Sequence, residues 1–281
     1  MNEKEQARAP HAWAVCAYGD SPYLETCLKS IRAQKTGSPA VICTSTPSPF
    51  LRAMAEKYDM PLRIRKTGTG EDASVPGTGN SGIAADWNFA YRQAAELGET
   101  VTLAHQDDCY GRDYVPTLLA ARRRWPDMSL FTCASVTAKD RTLHRAGLNE
   151  IVKMLLRLPL RFPQLCSRSG WKRAAVSLGN PVICPACSYV TDLCPEVPFS
   201  GNYRFVLDWD LLVRLAEMPG RWICTERPLI VYRVHGDAAT AESIRDHSRE
   251  QEEAEMFRRL LPGPAARIVG RLYRKAYDAY Q

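Results

Sequence analysis

Along the first half of the chain, short unbroken apolar runs take turns with apolar stripes at helical spacing. The run Ala12-Trp13-Ala14-Val15-Cys16-Ala17-Tyr18 predicts a buried strand. Gly19-Asp20-Ser21-Pro22 interrupts it, and Tyr23, Leu24, Cys27, Leu28 and Ile31 then share one face of a helix, with Ser21 placed to cap it and Pro22 in its first turn. The alternation repeats. Strands are expected at Pro39-Ala40-Val41-Ile42-Cys43, Pro61-Leu62-Arg63-Ile64, Thr100-Val101-Thr102-Leu103-Ala104 and Leu130-Phe131-Thr132-Cys133-Ala134, and helices over 49–58, 83–97 and 113–125, the last stopped by Pro126. Such alternation predicts an α/β fold with a mostly parallel central sheet flanked by helices. Residues 66–81 turn to Gly, Thr, Asn and Pro and predict a loop.

The second half is less regular. Leu and Ile alternate with Arg and Lys over 148–177, but Pro159 and Pro163 break the pattern, predicting short helices over the mouth of a site. Regular structure is expected to resume at Pro181-Val182-Ile183, then as a helix over 203–217 and strands at Trp222-Ile223-Cys224 and Leu229-Ile230-Val231-Tyr232. From residue 239 the pattern predicts two helices separated by Pro262-Gly263-Pro264. One domain over 1–240 followed by a helical, basic tail over 241–281 is the expected organisation.

Composition narrows the class. At 281 residues, 45% hydrophobic and 24% charged, the chain can bury one sizeable core. No apolar run approaches the roughly 20 residues that span a bilayer. The polar, acid-bearing start Met1-Asn2-Glu3-Lys4-Glu5-Gln6 lacks the pattern of a secretory signal, so a cytoplasmic location with reduced thiols is expected. Among the ten cysteines, Cys184, Cys187 and Cys194 have part of the spacing of a zinc site but no fourth ligand, and packing is the expected role. The net charge of +6 is unevenly spread: residues 141–173 carry Glu150 as their only acid, and 258–275 are also basic. Ile268, Val269, Leu272, Tyr273 and Ala276 share a helical face apart from Arg267, Arg271, Arg274 and Lys275, which suits either peripheral contact with anionic lipid or a helix packed on the domain. No nucleic-acid motif accompanies the basic stretches, and nucleic acid is not an expected partner.

The candidate chemistry begins at His105-Gln106-Asp107-Asp108, adjacent acids delivered by a strand to its own carboxyl end. That is where an open α/β sheet presents a divalent cation to a phosphorylated ligand. Leu207-Asp208-Trp209-Asp210-Leu211 and Tyr232-Arg233-Val234-His235 add a second acid pair and a histidine that could converge on the same cation. Asp210, two residues beyond Asp208, is better placed to pair with Arg214 at i+4. His105 is expected to pack or hydrogen-bond beside the acidic loop.

In order and spacing these landmarks, together with Asn80-Ser81-Gly82 and Asn88, resemble the inverting family 2 glycosyltransferases of the GT-A fold over about residues 12–240. The resemblance implies a nucleotide-binding half over about 12–136 and an acceptor-side half over about 137–240. It implies transfer of a sugar from a nucleotide-diphosphate donor to a hydroxyl acceptor, either a glycan or a lipid-linked one, in cell-surface polysaccharide or glycolipid synthesis, with a divalent cation, Mn or Mg, as cofactor. Asp108 and His235 would hold the cation and Asp107 the ribose. Ala17, Tyr18, Asp20, Thr44, Asn88 and Gln106 would line the donor pocket, and Asp208 would be the catalytic base. The sequence departs from the family pattern in three places. Leu207 replaces the usual Glu before the base, Cys43-Thr44-Ser45-Thr46 lacks the acid that contacts the nucleobase, and Trp87 stands where an Arg precedes Asn88. The donor base therefore stays open among uracil, thymine and guanine. Two alternatives also remain. A sugar nucleotidyltransferase would need basic residues in the loop after the first strand, which holds none, and a catalytically silent binding member would not need the acid set kept here.

Overall fold

The structure is a computed structural model that describes residues 7–66, 82–139, 142–144, 148–195, 198–235 and 248–278. The expected loop residues 67–81, with Asn80 and Ser81, and residues 236–247 lie outside the described residues. Four strands, β1 (Ala12–Cys16), β2 (Ala40–Thr44), β3 (Leu62–Ile64) and β4 (Thr100–His105), pair in parallel in the order β3-β2-β1-β4. Two further long strands, β6 (Met128–Lys139) and β9 (Arg221–Val234), pair in parallel with each other. The short strand β8 (Ser188–Val190) runs antiparallel between β4 and β6 and joins the two parallel blocks. At the edges, β5 (Cys109–Tyr110) pairs with β9 and β7 (Thr142–His144) with β6, both antiparallel.

Helices cover both faces. Because alternate strand residues point to opposite sides, Ala12 and Ala14 of β1 face a layer formed by α3 (Gly82–Ala95), α6 (Ser169–Ser177) and α7 (Leu207–Glu217). Trp13 and Val15 face the opposite layer, formed by α1 (Leu24–Arg32), α2 (Pro49–Lys57) and α4 (Tyr114–Arg124). α5 (Leu148–Leu156) and a 3-10 turn at Leu158–Arg161 follow β7. The C-terminal helices α8 (Ser248–Leu260) and α9 (Gly263–Asp278) are part of the first layer. Met256, Phe257, Leu260 and Ala266 are buried in its core, and the rings of Trp209, Phe257 and Tyr273 pack at centroid distances of 5.1 to 6.3 Å.

Several local expectations change. The two strands expected around residues 222–232 are one continuous strand, β9, whose pairing jumps from Thr225 opposite Cys133 to Pro228 opposite Ala134; the residues between form a bulge, which tolerates the proline. Pro181-Val182-Ile183 forms no strand, and the place between β4 and β6 is taken by Ser188-Tyr189-Val190. Strands β5 and β8 are too short to leave a periodic signal. α1 starts at Leu24 without a side-chain cap at Tyr23; Ser21, just outside the helix, accepts from the Tyr23 N–H (3.3 Å) and donates to Asp107 (2.9 Å). α7 starts at Leu207 and not at 203, since the N–H groups of Arg204, Phe205 and Val206 all donate to the Glu252 carboxylate of α8 (2.7 to 3.0 Å). Cys184 and Cys187 are buried thiols, and burial pushes Cys187 up to about 12.

Candidate active site

Parallel pairing places Cys16 of β1 opposite His105 of β4, so the loops leaving both strands emerge side by side. Gln106 ties them together: its Oε1 accepts from the Tyr18 N–H (3.0 Å) and its Nε2 donates to the Tyr18 carbonyl (2.9 Å). The Tyr18 ring is left 68% exposed over the loop. Gly19 follows at φ +61°, a conformation natural to glycine, and its N–H donates to Thr46 Oγ1 (2.8 Å). Thr46 leans on the buried Thr44 hydroxyl, and Asp20 accepts from Ser48, which also caps α2. Ala17 lies in the core beneath this loop. The backbone at 17–20 is thus fixed by side chains from two neighbouring strand ends.

The acidic pair is the centre of the denser cluster. Asp107 accepts from Ser21 through Oδ1, and its Oδ2 lies 3.2 Å from His235 Nε2. Asp108 is buried and accepts from the Arg233 N–H (2.9 Å), while Arg233 Nε donates to the Asp107 carbonyl (3.0 Å). The Arg233 guanidinium sits over the Tyr23 ring at 4.4 Å, and the same ring packs on His235 at 4.9 Å. β9 therefore carries Arg233 and His235 against the β4 loop, and four residues distant in sequence share one contact network. Burial pushes the Asp108 carboxyl up to about 8, opposed by the Arg233 N–H, with Asp107 adding to the rise. His105 packs on Trp87 (4.8 Å), and burial lowers its imidazole to about 4.

Carboxylates and an imidazole are ligand types that a divalent cation can take. Neither ring nitrogen of the largely buried His235 has a hydrogen-bond partner among the described residues, its approach to Asp107 being too poorly aligned to count as one. Beside it stand one carboxylate and a second, buried acid that an adjacent positive charge would help to ionise. Among the described residues no group of three or more His, Cys, Asp or Glu side chains is gathered closely enough to hold a metal ion by itself.

Asp208 is held separately. It sits in the first turn of α7, accepting from Asn180 Nδ2 (2.8 Å) and from the Trp209 N–H (2.8 Å). Burial raises it above the ordinary carboxylate range, and those two hydrogen bonds oppose the rise. Among the described residues it shares no hydrogen bond with Asp107, Asp108 or His235. Asp210 pairs with Arg214 as expected (3.0 Å) and also with Arg259 of α8 (2.6 Å). Asn88 is fully buried, and its amide bonds the Phe199 backbone in both directions, so it braces the loop before α7. The sequence reading missed Ser21, Arg233 and Asn180 as partners of the three acids. It also missed Asp86, which joins Ser45 at the end of β2 (3.0 Å) to Arg65 (2.7 Å) and brings a carboxylate from α3 to a strand end that has none of its own. Only Arg233 left a trace, by its place beside His235.

No protein-family model matches this chain, and no curated protein does. Solved structures do. Residues 1–349 of Staphylococcus aureus TarS superpose with a TM-score of 0.56 at 13% identity over 88% of this chain and 64% of that one. The mannosyltransferase PcManGT from Pyrobaculum calidifontis, in complex with GDP-Man and Mn2+, gives 0.58 at 17% identity over 97% and 70%. Glucosyl-3-phosphoglycerate synthase from Mycobacterium tuberculosis, with Mn2+ and UDP-glucose, gives 0.51 at 15% identity over 92% and 82%. The chain thus spans a little under two thirds of the TarS fragment. The fold is that of the GT-A glycosyltransferases.

Proposed function

We propose that this protein is an inverting, divalent-cation-dependent glycosyltransferase of the family 2 type. It moves a sugar from a nucleotide-diphosphate donor to a hydroxyl of a glycan or glycolipid in cell-surface synthesis. The observation that carries the reading is the contact network of Asp107, Asp108, Arg233 and His235 at adjoining strand ends of a GT-A sheet. Structural neighbours solved with UDP-GlcNAc, GDP-Man and UDP-glucose support a nucleotide-sugar donor.

In this reading Asp108 and His235 would hold the cation, which when bound would supply positive charge to offset that of the diphosphate. Asp107 is oriented by Ser21 and takes the ribose. Tyr18 offers its exposed ring beside a loop held by Gln106 and Thr46. Asp208 receives the acceptor hydroxyl proton as that oxygen bonds to the anomeric carbon and the bond to the diphosphate breaks on the opposite face, a single displacement that inverts the centre. Its raised proton affinity suits a base, and Asn180 fixes its orientation. The alternative of nucleotidyl transfer lacks a basic loop after β1, where residues 17–22 hold neither Lys nor Arg. The test is incubation with UDP-, GDP- and dTDP-sugars, with Mn or a chelator, measuring nucleoside diphosphate release. Cation-dependent release supports the proposal. Pyrophosphate formed from a sugar phosphate and a nucleoside triphosphate would overturn it.

A further inference from the structure

Several of the large apolar side chains exposed among the described residues lie on α5, α9, the turn after α5 and the end of α6. Leu155, Phe162, Leu178, Ile268 and Leu272 are each more than half exposed. They come from segments far apart in sequence that meet at Gly179. A Cβ there would lie 2.6 Å from the Tyr273 ring of α9 and 3.2 Å from Leu156 of α5, so the end of α6 is pressed between those two helices. Phe162, leaving the 3-10 turn, packs on Trp171 of α6 at 6.2 Å and completes the face. On α5, exposed Ile151 and Leu155 fall four residues apart and share an outward stripe, as do Ile268 and Leu272 on α9. Arg168, Arg267 and Arg271 are exposed on the same elements or at their ends, and residues 151–178 contain no acid.

We propose that this face seats the protein on an anionic lipid bilayer. Aliphatic tips flanked by guanidinium groups, with Arg267 and Arg271 on the side of α9 that borders Glu250 and Glu253 of α8, match the boundary between acyl chains and phosphates, where apolar area and cationic charge both contribute to binding. No described helix is long and apolar enough to cross a membrane, so the contact is peripheral. In the sequence the basic stretches 141–173 and 258–275 each suit an anionic surface; in the structure α5, the end of α6 and α9 meet at Gly179. α5 also links the surface to the candidate site. Its Lys153 lies over the Tyr232 ring at 5.6 Å, one residue before Arg233, while Ile151 and Leu155 are turned to solvent. An acceptor held in the bilayer would therefore meet the protein beside the acidic cluster; this last point alone rests on the transferase reading.

The test is co-sedimentation of the full chain with phosphatidylcholine vesicles and with vesicles that also contain phosphatidylglycerol, without any donor present. Binding is expected only to the anionic vesicles and to fall with added salt. The double variant Ile268→Ser/Leu272→Ser should weaken it by about tenfold or more, and Arg267→Gln by about fivefold. Leu155→Ser/Phe162→Ser serves as the independent second variant, and cation-dependent nucleotide binding should stay unchanged in all of them. Equal binding to neutral vesicles, or none, overturns the proposal. So does a concentration-dependent dimer that the Ile268→Ser/Leu272→Ser variant dissociates, which would assign the face to a second copy. Failure of vesicle binding with intact nucleotide binding leaves the transferase reading standing.

Discussion

The acidic cluster and the helix that bears Asp208 are built in opposite ways. Asp107, Asp108, Arg233 and His235 stand on the ends of two strands and are joined by single hydrogen bonds and stacked rings, with neither His235 nitrogen bonded among the described residues. α7, by contrast, is clamped at both termini. Three N–H groups before it enter the Glu252 carboxylate, and at its other end the buried Lys172 ammonium donates to the carbonyls of Leu215, Met218 and Gly220. A negative group at the amino end and a positive one at the carboxyl end also complement the helix dipole. The difference suggests a division of labour. In the proposed function the first region takes a cation and a diphosphate, whereas the second holds one carboxylate in a fixed place.

The strongest way to break this comparison is Asp208→Asn. Turnover should fall by about a thousandfold, in the range of a lost general base, while nucleotide affinity stays near wild type; unchanged turnover would remove Asp208 from the chemistry. Next is Lys172→Met, which leaves buried carbonyls unpaired and should cost about 3 kcal/mol of stability, read by denaturant unfolding. Glu252→Ala should cost about 2 kcal/mol in the same assay and reduce turnover more than nucleotide affinity. Arg233→Ala acts on the other region, and should weaken cation-dependent nucleotide binding about tenfold, one charged hydrogen bond being worth roughly 1.5 kcal/mol or more. The mildest probe is pH. Burial raises Asp208, so at low pH it keeps its proton and cannot act as base. Turnover should climb as pH rises through that raised value, and an acid limb at the position of an ordinary exposed carboxylate would argue against Asp208 as the base.

The parallel first half of the fold is legible in the sequence because each strand there is a continuous apolar run and each helix a clean stripe, as in Trp13, Val15, Leu24 and Leu28. The bridging strand β8 is not, since Ser188-Tyr189-Val190 is short and its role is set by partners on β4 and β6. The start of α7 is misjudged for a similar reason, a carboxylate arriving from a helix some forty residues downstream. For the site, the acids and His235 stand out by their place after strands. Ser21, Asn180, Asp86 and Arg65 do not, because what gives each a role is a contact made only in three dimensions. The same holds for Asn88, whose amide bonds the Phe199 backbone inside the core.

The central claim, that cation and diphosphate are held by one region and the acceptor's proton is taken by the other, is tested most directly by calorimetric titration. UDP and GDP are titrated into wild type, Asp108→Ala and Asp208→Asn, each with Mn and with chelator. The account predicts binding that needs Mn in the wild type, is lost in Asp108→Ala and survives in Asp208→Asn. Binding that ignores both the chelator and Asp108→Ala, or that disappears equally in Asp208→Asn, would contradict it.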